Sequence, residues 1–144
     1  MPELGLPILD RTVNDTNVWL RDISEAMNHP DRQVAYHALR GVLFALRDRL
    51  VIDEALHLAS QLPLLIRGIY FEGYSASGKP EDYDREGFVE RVAQELQQAG
   101  GADPEAAVRA VFDVLTRHID EGEARHTREM LPKKLQTLWP QETA

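Results

Sequence analysis

The chain has 144 residues, 43% hydrophobic and 28% charged, with 24 acidic against 16 basic side chains and no cysteine. That length suits one domain with its own core, and the composition excludes a disordered chain. A net charge of −8 opposes binding to nucleic-acid phosphates or anionic membrane surfaces. The absence of cysteine excludes disulfides, thiolate metal sites and cysteine nucleophiles, and it fits a reducing compartment. The N-terminal run MPELGLPILDRTVND carries acids and two prolines where a signal peptide needs a basic region and an apolar core. The longest apolar runs, 42–46 and 62–66, are five residues, far short of a membrane span. A cytoplasmic protein is expected.

Helix signals follow one another along the whole chain. Asp15 or Thr16 can cap a first helix whose apolar positions Trp19, Leu20, Ile23 and Met27 recur at helical spacing. His29-Pro30-Asp31 breaks the chain and restarts it as a second helix over about 31–49. A third runs over about 53–62, with Ala55, Leu58, Ala59 and Leu62 on one face, and Pro63 suits the first turn of a fourth. The segment 73–83, GYSASGKPEDY, reads as a loop. Asp84 can cap a fifth helix presenting Phe88, Val89, Val92 and Leu96, which QQAGGAD closes. Asp103-Pro104 opens a sixth that reaches about His118. Two shorter helices follow near 120–131 and 132–139, and no run of alternating β-branched residues marks a strand.

The second half repeats the first. A gapless offset of 69 residues pairs Trp19 with Phe88, Ile23 with Val92, Met27 with Leu96, Arg40 with Arg109, Leu43 with Phe112 and Tyr70 with Trp139. It also superimposes Glu54-Ala55 on Glu123-Ala124, His57 on His126 and Leu62-Pro63 on Leu131-Pro132. The expected architecture is all-α, a single domain over 1–144. It holds two repeated four-helix modules, 15–72 and 84–140, joined by 73–83 and packed about a pseudo-two-fold. The second and sixth helices carry apolar or small residues around most of their circumference, so they are expected at the centre, with Gly41/Ala45 and Ala110/Val114 at the contact.

The stretch AVRAVFDVLTRHIDEGEARHTREMLPKKLQTLW, residues 107–139, resembles the bacterial family known as domain of unknown function 2267. The stretch ALRGVLFALRDRLVIDEALHLASQLPLLIRGIYFEGY resembles the same module again. The resemblance covers nearly everything from Val18 onward and implies an all-helical bacterial protein. It supplies no catalytic residues to carry over. One departure is Val51-Ile52-Asp53, which lacks the glycine found at Gly122.

Two motifs invite a chemical reading. Gly73, Gly78 and Lys79 match the spacing of a phosphate loop, but Pro80 stands where the loop needs a Ser or Thr hydroxyl. The other motif is E-x-x-H, present twice as Glu54–His57 and Glu123–His126. Di-iron carboxylate bundles take such a pair from each of two helices and one Glu from each of two others. On a helical wheel, however, both pairs lie opposite the apolar stripes, which favours first-turn glutamates beside exposed histidines.

Arg40 and Arg109 border the central helices at equivalent places. They can pair with Asp22, Glu25 or Glu95 of the first helices, or they can line an inter-module groove and receive an anion. Tyr70, Phe71 and Tyr74 can edge the core or form a groove mouth. The leading expectation is a binding module for a protein or small-molecule partner, without cofactor, using Arg40, Arg109, Tyr70, Tyr74 and Lys79. The competing expectation is a metal-dependent, di-iron-like oxidoreductase built on the E-x-x-H pairs. The sequence sets no oligomeric state.

Overall fold

The computed structural model describes residues 5–140, so the outermost ends of the expected 1–144 domain lie outside the described residues. Eight α-helices account for most of them: α1 (Pro7–Met27), α2 (Arg32–Arg49), α3 (Ile52–Ala59), α4 (Leu64–Phe71), α5 (Arg85–Leu96), α6 (Pro104–His118), α7 (Glu121–Glu129) and α8 (Lys133–Gln136). The described residues contain no strand, and none of their helices is long and apolar enough to cross a membrane. Asp31, Asp84, Asp103 and Asp120 cap α2, α5, α6 and α7 through their carboxylates, accepting from backbone N–H groups two or three residues on.

The largest departure from the sequence reading is α1, which starts at Pro7 rather than after Asp15 or Thr16. Proline fits the first turn because its missing N–H would have no partner there. Thr16, read as a cap, lies inside the helix and donates its hydroxyl back to the Thr12 carbonyl at 2.7 Å. The extra turns have a task. Pro63 precedes α4 without offering a side-chain cap, and the Thr12 hydroxyl accepts the Leu65 N–H at 2.8 Å in its place. The last two helices are shorter than expected.

Buried apolar residues from all eight helices form one cluster. α2 packs against α1, α3, α4, α5 and α6, and α6 packs against α1, α2, α5 and α7, so both are central as expected. The small residue Gly41 faces another neighbour than expected. A Cβ there would lie 3.0 Å from Glu95 Cβ and 3.5 Å from the Val92 carbonyl, so the close approach is between α2 and α5, not α2 and α6.

Four of the five histidines meet a carboxylate from the other half of the chain: His37 with Glu95, His57 with Glu123, His118 with Asp22 and His126 with Glu54. His118 Nε2 lies 2.7 Å from Asp22 Oδ2, and its ring stacks on Trp19 with centroids 5.2 Å apart. Burial of Asp22 raises its pKa, but the hydrogen bonds from His118 and Arg21 and the charge of Arg117 outweigh that and hold it below 3.8. A carboxylate depressed in the folded state stabilises fully above its unfolded pKa, and the contribution fades as pH falls through the folded value. Asp22→Asn is therefore expected to cost about 1.5–3 kcal/mol at neutral pH, with the gap to the parent closing as pH falls below about 4. Urea denaturation across that range checks it, and a gap independent of pH would count against this role.

Candidate functional site

Two places gather chemistry, and only one lies where the sequence pointed. The first is a groove of about 570 Å³ between the early turns of α1, α2 and α4. Leu9 and Thr12 line it from α1, Tyr36 and Arg40 from α2, Leu64, Leu65, Ile69 and Phe71 from α4, and Glu72 from just beyond α4. Gly68 lies on the groove without a side chain to fill it. Leu9, Leu64 and Leu65 are 38%, 49% and 43% exposed, an unusual concentration of wet leucine on one site.

Its polar end is built around Arg40. The guanidinium pairs with Glu72 and, through Nε, with Glu95 Oε2 at 3.2 Å, and it lies over the Phe44 ring at 4.6 Å. Burial alone would lower the Arg40 pKa; the hydrogen bond to Glu72 and the charges of Glu72 and Glu95 raise it instead, so the guanidinium stays charged. Glu95 also receives His37 Nδ1 at 2.8 Å. Of the acceptors foreseen for Arg40, Glu95 is the one that serves; Glu72 was not foreseen.

Arg109 has a different environment. It is half-exposed and pairs with Glu105, one turn away, at 4.0 Å. The 69-residue offset explains this, because the position matching Glu95 is Ala26. Tyr70 is buried in the core, donating its hydroxyl to the Ala55 carbonyl at 2.7 Å, and burial pushes its pKa far up. Tyr74 sits beside Arg47, its hydroxyl buried without a hydrogen-bond partner. Of the three clustered aromatics, Phe71 alone lines the groove.

Lys79 already has two acidic neighbours. Its ammonium lies 3.4 Å from Glu81 and 3.8 Å from the buried Asp48. The segment 73–83 is tied to α2, because Glu81 N–H donates to the Asp48 carbonyl at 2.8 Å, Tyr83 hydroxyl to the Ala45 carbonyl, and Arg49 Nε to the Tyr83 carbonyl at 3.0 Å. Asp48 gathers Arg47, Arg91 and Lys79, and among them Arg47 is a residue to which the sequence reading assigned no role.

The second place is the junction of α3 and α7, where the two E-x-x-H motifs face each other. His57 Nδ1 lies 3.1 Å from Glu123 Oε1, and His126 Nε2 lies 2.9 Å from Glu54 Oε1. The wheel set both pairs opposite the apolar stripes, but Glu123 lies on the buried face of α7 with Ala124 and Thr127, where α7 meets the other half. Glu123 is accordingly buried, its side chain 5% exposed, whereas His57 is 62% exposed. The Glu54 carboxylate raises the pKa of His126. Donor atoms of Glu54, His57 and Glu123 lie within 4.8 Å of one another, and among the described residues no other group of three acidic or histidine side chains gathers this closely. A di-iron centre also needs carboxylates from two further helices, and among the described residues none joins this group.

A family model described as an uncharacterized conserved protein, DUF2267, matches residues 16–138. No curated protein matches the chain.

Proposed function

The chain belongs to the DUF2267 family, and we propose that it is a ligand-binding helical module whose site is the groove between α1, α2 and α4. The occupant is a small amphipathic molecule with an apolar body and a carboxylate or similar anionic head. We take the halves to be two four-helix modules, 15–72 and 84–140, joined by 73–83 and related by a pseudo-two-fold. Support comes from the repeat and from reciprocal packing, since α1 rests on α6 as α5 rests on α2. The groove is built from α2, α4 and the α1 turns that precede residue 15, with Glu95 of the second module behind Arg40. The α1 extension that walls it corresponds by offset to the loop before Asp84, and α4 corresponds to the four-residue α8.

The observation that carries this reading is Arg40 at one end of an exposed apolar groove of ligand size. Glu72, 60% exposed, holds one side of that guanidinium, while Glu95 holds it from a side chain only 12% exposed. An incoming carboxylate can displace Glu72 to solvent and leave the Glu95 contact intact, keeping Arg40 positioned throughout.

Titration with an anionic naphthalene dye, followed by displacement with straight-chain carboxylates, tests the idea. Saturable binding is expected; Leu65→Asp abolishes it and Arg40→Met weakens it roughly tenfold or more. Glu72→Gln tightens it, and Arg109→Met leaves it unchanged. Absence of saturable binding, or binding indifferent to Leu65→Asp, would overturn the proposal.

A further inference from the structure

We propose that the paired E-x-x-H motifs of α3 and α7 bind one borderline divalent metal ion, Zn²⁺ in the first instance, and clasp the two halves through it. Each motif sets a Glu and a His one turn apart on a single helix face, and the structure brings the two faces together. Glu54, His57 and Glu123 present donors within 4.8 Å of one another. His126 lies outside that group of three, but its Nε2 is 2.9 Å from Glu54 Oε1, and closing on the same ion would make it the fourth donor. The cross-half pairs at 2.9 and 3.1 Å are already close to the roughly 3.3 Å separation that metal bonds of about 2 Å impose on a tetrahedral donor set.

Two features go beyond a pair of ordinary ion pairs. Glu54 Oε2 is buried with no hydrogen-bond partner, an uncompensated carboxylate oxygen that a cation would satisfy. Glu123 is oriented from behind. Its Oε2 accepts the Thr127 hydroxyl at 3.2 Å, which leaves Oε1 aimed at His57, as outer-shell partners orient metal ligands. Two imidazoles and two carboxylates suit Zn²⁺ and its first-row neighbours better than Ca²⁺ or Mg²⁺, which take all-oxygen shells. With no further carboxylate in the group, a single ion fits and a dinuclear centre does not.

The test uses the full chain without a histidine tag, stripped with chelator and titrated with Co²⁺ and then Zn²⁺. One equivalent per chain is expected, with the intense visible absorption of tetrahedral Co²⁺ that Zn²⁺ bleaches, and with a rise in Tm on Zn²⁺ addition. Glu54→Gln and Glu123→Gln are expected to weaken binding by at least the roughly 10–100-fold seen on losing outer-shell partners. His29→Ala leaves it unchanged. Should Glu123→Gln fail to fold, the exposed His57→Asn carries the same test. Dye binding in the groove is unmoved by Glu54→Gln, so the two sites fail or stand separately. Absence of the Co²⁺ band, or metal binding untouched by both Glu54→Gln and His57→Asn, would overturn the proposal.

Discussion

Arg47→Met is expected to lower stability by about 3–5 kcal/mol, equivalent to a Tm loss of roughly 10–20 °C for a chain of this size. Arg47 lies in the last turn of α2 with its side chain 5% exposed. One guanidinium nitrogen donates to the Tyr70 carbonyl at 2.8 Å and to the Glu72 carbonyl at 2.6 Å, supplying donors that the C-terminal end of α4 lacks within the helix. Nε donates to Asp48 at 3.1 Å, and the guanidinium plane lies over Phe44 at 4.1 Å. Methionine keeps the stem's packing but strands those carbonyls, and it leaves Asp48, only 3% exposed, with one charge partner fewer. Arg47→Lys restores the charge without the planar fork, so about half the loss is expected to remain. Thermal unfolding followed by circular dichroism measures both variants. A loss under about 1 kcal/mol for Arg47→Met would mean that water replaces the guanidinium at the end of α4 and that the contact is dispensable.

How much of this was legible in the sequence depended on the range of the signal. Caps and apolar periodicity act within one or two turns, so Asp84 and Asp103 were legible as caps, whereas Asp31 and Asp120 were legible only as the approximate starts of the helices they cap. Thr16 misled because a threonine can serve as a cap or bond back to a carbonyl one turn earlier, as it does to Thr12. The choice was decided by Leu65, far along the chain, whose N–H needed Thr12. The groove was hidden for the same reason, since its α1 wall belongs to turns the cap reading had assigned to coil. Pro7, in a position suited to a helix's first turn, was the local signal that could have found it.

The repeat was legible as apolar matches, yet its charges do not follow it position by position. Across the two halves, Arg91 of α5 donates to Asp48 of α2 at 2.6 Å. The offset counterparts are Arg117 of α6 and Asp22 of α1, and Arg117 lowers the Asp22 pKa through its charge. The signs are exchanged while the attraction is kept. Attraction between two helices needs opposite signs but not a particular owner of each sign, so polar contacts diverge where packing cannot. The E-x-x-H copies are the contrary case, kept identical in both halves and paired across them. A wheel drawn for one helix shows which face is apolar, but not what the other faces meet.

Phe112→Ala, the second large effect, is expected to destabilise the chain by about 3–5 kcal/mol in a single transition. Phe112 of α6 is fully buried, stacked on Trp139 with centroids 4.1 Å apart and planes at 15°, and it contacts Phe88 of α5 at 5.9 Å. Truncation removes one layer of that aromatic stack and leaves a cavity whose walls belong to separate helices, so collapse around it is limited. The offset partner is Leu43, also fully buried, which makes leucine the natural intermediate size. Phe112→Leu is expected to cost less than half as much as Phe112→Ala. Trp139 reports on the second half, against Phe112, and Trp19 on the junction between the halves, against His118. Because Phe112 lies in a cluster that includes α1, α2 and α5, tryptophan fluorescence and circular dichroism should shift together in urea, by equal amounts. An earlier fluorescence transition in Phe112→Ala, with helicity retained, would show that the second half can loosen alone and that the shared core does not make the halves cooperative.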